Sequence, residues 1–164
     1  MTIRFGILTL SDRSSRGERA DSSGPALARL IKAEGWSVTK QSLLPDDESS
    51  LREILIEWSD SFALDVILTT GGTGFSPKDV TPEATRAVIE REAPGLAEAM
   101  RAASLKITPH AMLSRIVTGI RKKTLIINLP GSPKGAVESL QVVMPVLNHA
   151  IQLLNEDPKS ETSH

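Results

Sequence analysis

The sequence contains no cysteine, which excludes disulfides, thiolate catalysis and Cys-ligated metals. Neither sign of charge is in excess: 19 Lys plus Arg stand against 20 Asp plus Glu, for a net charge of −1. A general electrostatic pull toward nucleic acid is therefore missing, and any anion site must be local. No apolar run approaches the ~18 residues that a membrane span requires. The opening residues, MTIRFGILTLSDR, hold an eight-residue apolar-rich strand pattern with an internal Arg. They lack the basic start and longer apolar core of a secretory signal, so a cytoplasmic protein with no nucleic-acid or membrane partner is expected.

What is present is the composition of an ordinary globular protein, with 40% apolar and 24% charged residues over 164 positions. That length suits one domain able to bury a sizeable core. With no internal repeat and no linker, a single domain is expected over residues 1–155, followed by a polar, frayed tail over 156–164.

Residues 3–10 (IRFGILTL), 36–44 (WSVTKQSLL), 65–70 (DVILTT) and 123–130 (KTLIINLP) read as strands, being short, rich in β-branched residues and bounded by polar ones. Helical signals cover residues 24–35, 49–62, 81–92 and 94–105, then 132–154 with a disturbance at Pro145. Residues 112–120 (MLSRIVTGI) suit either a strand or a loop. Trp36 and Trp58 fall on strand and helix faces and are assigned to the core. Alternation of this kind predicts an α/β fold, a mostly parallel sheet with helices on both faces. Ligands of such folds bind outside the carboxyl ends of the strands.

Four strand-end loops should therefore share one edge: SDRSSRGERADSSGP, PDDE, GGTGFSPKDV and PGSPK. Pro25, Pro82 and Pro133 each stand where a helix begins, and Thr81 and Ser132 suit N-caps, so free N–H groups behind them would attract phosphate. The edge also carries Asp12, Asp21, Asp46, Asp47 and Asp79. Carboxylates beside phosphate-seeking amides repel the ligand unless a cation lies between them, and Mg²⁺ is the ion usually shared in this way. A Mg–nucleotide site follows.

Each motif alone has a plainer reading. GGTG matches neither common Gly-rich phosphate pattern and can be a tight connection. PDDE can be a turn whose acidic residues favour a helix dipole. His110, His149 and His164 show no metal or triad spacing and are read as structural or exposed. Arg13, Arg16 and Arg19 suit a solvated loop, yet about 14 residues of loop in a compact domain suggests function.

The segments TTGGTGFSPKDVTPEAT, LPDDE, TLSDRSSRG…DSSGP and LIINLPGSPK together resemble the molybdopterin adenylyltransferases of molybdenum cofactor biosynthesis, from about residue 3 to 154. Bacterial MogA-like proteins and gephyrin domains belong there, within a wider group that includes MoaB, MoeA and CinA domains. The resemblance implies a three-layer α/β/α sandwich of the molybdopterin-binding type that assembles as a homotrimer. It implies transfer of AMP from ATP, with Mg²⁺, to the phosphate of molybdopterin, with release of pyrophosphate. The product would pass to a MoeA-like molybdate-inserting protein. The implied catalytic, metal-holding pair is Asp46 and Asp79. Pterin and nucleotide contacts would fall on Ser11, Asp12, Asp21, Gly71, Gly72, Thr73, Gly74, Lys78, Ser114, Asn128, Pro130, Gly131 and Ser132.

Two departures are visible. Lys78 stands where relatives often have Arg, which keeps the charge and loses a bidentate fork. An insertion that some bacterial relatives carry before the last helix is missing, as in the plant and gephyrin domains. A non-catalytic molybdopterin-binding carrier or scaffold is the competing reading, and an unrelated small α/β phosphate-binding enzyme a further one.

Overall fold

The computed structural model describes residues 2–162. Six strands form one sheet in the order β2-β1-β3-β6-β5-β4. Strands β1 (Arg4–Leu10), β2 (Ser37–Leu44), β3 (Val66–Thr70) and β6 (Thr124–Leu129) run parallel, while β5 (Thr118–Arg121) and β4 (Arg91–Glu92) add antiparallel pairing at one edge.

A single helical turn, α1 (Asp12–Ser15), follows β1, and longer helices cover both faces, so β3 and β6 are buried along their whole length. Side chains alternate between two apolar clusters with the period of two that the pleat dictates. Phe5, Ile7, Val66, Leu68, Leu125 and Ile127 face α2 (Ser23–Ala33), α5 (Pro94–Leu105) and α6 (Pro133–Leu154). Leu8, Leu10, Ile67 and Ile126 face α3 (Glu48–Asp60) and α4 (Thr81–Val88). The expected three layers are observed. Trp58 is buried in the second cluster, and Trp36 stacks on Phe5 with ring centroids 5.5 Å apart.

Several local expectations are corrected. The helix expected over 81–92 stops at Val88, because Ile89 is extended (φ −72°, ψ 145°). The chain then pairs with β5: Glu90 N–H donates to Ile120 O (2.8 Å) and Ala93 N–H to Thr118 O (3.0 Å). Gly119 makes room for this, since a Cβ there would lie 2.6 Å from Ile89 Cδ1. Residues 112–120 divide between a 3-10 turn (Pro109–Leu113) and β5. Helix α6 runs unbroken through Pro145. The carbonyl four residues earlier belongs to exposed Gln141, where water can replace the missing N–H. Beyond α6, Pro158–Thr162 forms a 3-10 turn that buries Ser160. His164 lies outside the described residues.

One buried polar side chain ties the sheet to its helices. Asn128, fully buried, accepts from Val117 N–H at Oδ1 (3.0 Å) and donates from Nδ2 to Thr69 Oγ1 (2.9 Å) and Thr85 Oγ1 (3.0 Å). Truncation to Asn128→Ala leaves these partners unpaired in the core and should lower stability by about 3 kcal/mol, read as a shift of the urea midpoint.

Candidate active site

The parallel strands end in step. Leu10 is level with Leu44, Thr9 with Thr70, and Thr70 with Leu129, so the loops that follow lie side by side. Where they meet, two glycines adopt left-handed conformations: Gly71 at φ +99° and Gly72 at φ +68°. A Cβ on Gly71 would collide with Leu10 O, and one on Gly72 with Thr81 Oγ1. Thr81 does not cap α4 as expected. Its hydroxyl is buried and donates to Gly71 O (2.9 Å), while its N–H donates to Gly72 O (3.1 Å).

Two glycine amides expected to face a nucleotide are already engaged. Gly71 N–H donates to Leu129 O (3.3 Å), and Gly74 N–H to Asp79 Oδ2 (3.0 Å). These amides serve close packing and carboxylate orientation, while Gly71 through Gly74 still border the cavities described below. Ser132, in contrast, caps α6 as expected, accepting from Gly135 N–H at 3.1 Å. Helix α2 starts at Ser23, two residues before Pro25, and Asp21 caps it by accepting from Gly24 N–H (3.1 Å) and from Thr9 Oγ1 (2.9 Å).

The adjacent aspartates of PDDE point different ways. Asp47 caps α3, accepting from Ser50 N–H (2.8 Å). Asp46 turns toward the site and forms a reciprocal pair with Asp12: Asp12 N–H donates to Asp46 Oδ2 (3.3 Å) and Asp46 N–H to Asp12 Oδ1 (2.8 Å). Lys78 Nζ lies 3.6 Å from Asp12 Oδ2. The amide of Asp46 holds the Asp12 carboxyl below the usual range. Burial pushes the Asp46 carboxyl up, reinforced by repulsion from Asp12 and Asp79. Asp79 Oδ2 is fixed by the N–H groups of Gly74 (3.0 Å) and Ser76 (3.1 Å).

Two cavities adjoin this cluster. One, of about 590 Å³, is lined by Ser11, Arg19, Asp21, Asp46, Gly71, Gly72, Asp79, Gly131 and Ser132 among others. The other, of about 480 Å³, takes in Gly72, Thr73, Gly74, Asp79, Ser114, Pro130, Gly131 and Ser132. Gly72, Asp79, Gly131 and Ser132 border both. Asp12 and Lys78 stand beside Asp46 outside the two linings, and Asn128 lies in the core beneath them.

Sequence reasoning missed the far wall of the second cavity, built by Arg101, Ser104, Thr108, Glu138 and Ser139, with exposed His110 at its rim. Gly135, Glu138 and Ser139 do recur at helical spacing near the start of α6, a signal that could have marked this wall. It also missed Arg115, whose guanidinium donates to Gly74 O (2.7 Å) and Asp79 O (2.8 Å).

The family described as "Probable molybdopterin binding domain" matches residues 6–149. The chain belongs to this family. A molybdopterin adenylyltransferase of Helicobacter pylori is 40% identical over 155 residues, covering 93% of this chain and 88% of that protein. Gephyrin of Dictyostelium discoideum is 46% identical over 165 residues, covering 94% of this chain. The chain spans only 23% of that gephyrin's length. Among solved structures, the molybdopterin biosynthesis enzyme MoaB of Thermus thermophilus superposes with a TM-score of 0.90 at 50% identity, covering 96% of this chain and 99% of that one.

Among the described residues, no three carboxylate or imidazole groups are placed to hold a metal by themselves. The donors still fit Mg²⁺, which binds through one or two carboxylates and completes its shell with phosphates and water. A cation at Asp46 would also relieve the repulsion that raises its carboxyl.

The sign of the Asp46 shift gives a pH dependence. An acid whose folded-state pKa is raised binds its proton more tightly when folded, so stability is lost as pH rises through that pKa. Asp46→Asn keeps the acceptor for Asp12 N–H and removes the titration. The variant should melt above the wild type at pH 7 in metal-free buffer, and the gap should close as pH falls below about 4.

Proposed function

We propose that this protein is a molybdopterin adenylyltransferase, joining AMP from ATP to the phosphate of molybdopterin and releasing pyrophosphate. The observation that carries the reading is the pair of cavities meeting at Gly72, Asp79, Gly131 and Ser132. A group-transfer enzyme with two substrates needs two adjoining sites with the reacting atoms at their junction.

In this reading the nucleophile is a phosphate monoester, whose second pKa near 6 leaves it largely ionised at pH 7, so no general base is required. A phosphate oxygen attacks the α-phosphorus of ATP, and the bond to the β-phosphate oxygen breaks with its electron pair leaving on pyrophosphate. Asp46 and Asp79 would hold Mg²⁺, which when bound neutralises phosphate charge. The Gly72–Thr73 turn and the α6 amides behind the Ser132 cap would receive anionic groups from opposite sides of the junction. Lys78, 73% exposed and paired with Asp12, would swing to the leaving pyrophosphate.

A homotrimer would cover part of the apolar surface that Val142, Val146 and Leu153 expose on α6. Hand-over of the product to a molybdate-inserting protein and a cytoplasmic location complete the reading, and among the described residues no helix is long and apolar enough to cross a membrane.

The direct test incubates the protein with molybdopterin, ATP and Mg²⁺ and looks by mass spectrometry for the adenylylated pterin. A pterin-binding carrier would yield none and would release no pyrophosphate. With wild-type activity in hand, Asp79→Asn and Asp46→Asn should each lower turnover by about 100-fold or more at saturating Mg–ATP while molybdopterin still binds. Wild-type turnover in both would remove these residues from the mechanism.

A further inference from the structure

We propose that Arg115 is a positioning residue that sets the Asp79 carboxylate through the backbone of the glycine loop. The role rests on the adenylyl-transfer reading for its effect on turnover, while its geometric content stands by itself.

The segment between Gly74 and Asp79 has no regular structure, yet Asp79 must be held to a fraction of an ångström to serve a metal or a phosphate. Arg115 reaches both ends of it. Its backbone N–H donates to Thr73 O (2.9 Å), Nε to Gly74 O (2.7 Å) and Nη2 to Asp79 O (2.8 Å). The loop closes on itself from the inside, because Asp79 Oδ2 accepts from the N–H groups of Gly74 and Ser76. Carbonyls pinned from outside and amides gathered within fix both the peptide planes and the carboxylate they orient.

The guanidinium is itself oriented by Glu83 in the first turn of α4, with Nη1 2.8 Å from Oε2 and Nη2 3.1 Å from Oε1. Glu83 is 44% exposed, so this ion pair contributes little to stability. Its use is to aim the fork. Arg115 therefore connects three segments, the glycine loop, the start of α4 and the stretch leading to β5. A lysine could not replace it, because one ammonium cannot meet two carbonyls and a carboxylate in this planar arrangement.

The test compares Arg115→Met, Arg115→Lys and Glu83→Gln with the wild type. Turnover of both Arg115 variants should fall about 10- to 100-fold with a raised Mg²⁺ requirement, while the KM for molybdopterin changes less than about twofold. Glu83→Gln keeps one acceptor oxygen and turns a donor amide toward the guanidinium, so its turnover should fall about 3-fold, less than in the Arg115 variants. Wild-type turnover in Glu83→Gln would remove Glu83 from the positioning role. Recovery of full turnover in Arg115→Lys would reduce the role to charge alone and overturn the proposal. Amide hydrogen exchange supplies a readout independent of turnover. Gly74 and Ser76 amides should exchange about 10-fold faster in Arg115→Lys, with Ile127 in β6 unchanged. Unchanged exchange at Gly74 and Ser76 refutes positioning even if the wild type adenylylates nothing, and that inactivity by itself would refute only the functional reading. Should Arg115→Met not fold, Arg115→Lys carries both measurements.

Discussion

The site depends on a close approach of backbones at Gly71. Three strand exits converge there: Leu10 O would meet any Cβ on Gly71, Leu129 O accepts the Gly71 N–H at 3.3 Å, and a Cβ on Gly131 would lie 3.2 Å from Gly71 Cα. Parallel strands ending in register bring the loops to one edge, but only residues without side chains let them pack this tightly. Thr81 then locks the crossing from the helix side by bonding the carbonyls of both Gly71 and Gly72. With the backbones packed together, the side chains of the neighbouring loops stand around one shared opening.

That arrangement concentrates negative charge. Asp12, Asp46 and Asp79 come from three different loops, and among the described residues only Lys78 forms an ion pair with one of them, at 3.6 Å from Asp12. The fold reduces the conflict unequally. Asp12 receives an amide and a lysine and stays easily ionised, whereas Asp46 is partly buried against two like charges. A partly buried carboxylate beside like charges lowers stability when ionised, and a cation placed there would offset that cost. Asp79 is held differently, through the Gly74 and Ser76 amides at Oδ2, which orient its carboxylate by one of its two oxygens.

The architecture was legible because long-period signals carry it. Alternating apolar strands and amphipathic helices gave the three layers, and the strand-end rule placed all four loops correctly on one edge. What sequence could not resolve were positions where tertiary pairing overrides local preference. Residues 89–93 carry helical propensity, yet the available edge of β5 and the room that Gly119 leaves for Ile89 draw them into a strand. The resemblance put Asn128 among the ligand contacts; its side chain lies buried within β6, where three hydrogen bonds hold it. Arg115 gave no signal at all, since a lone arginine before a weak strand resembles any surface residue. Its acceptors are backbone carbonyls about 40 positions earlier in the chain, and carbonyls are invisible to residue-type reasoning.

The PDDE motif shows how far such reasoning reaches. Its two readings, a helix-start turn and a metal-holding carboxylate, looked exclusive when judged by composition. The two neighbours separate where the chain leaves β2 at Leu44 and turns into α3 at Glu48. Asp47 meets the amides of its own helix, and Asp46 meets Asp12 across the gap between β2 and β1. A cap at Asp47 fixes where α3 begins and hence the direction in which Asp46 leaves the strand. The cap on one aspartate thereby leaves its neighbour facing the cavity that Ser11, Asp21 and Asp79 also line.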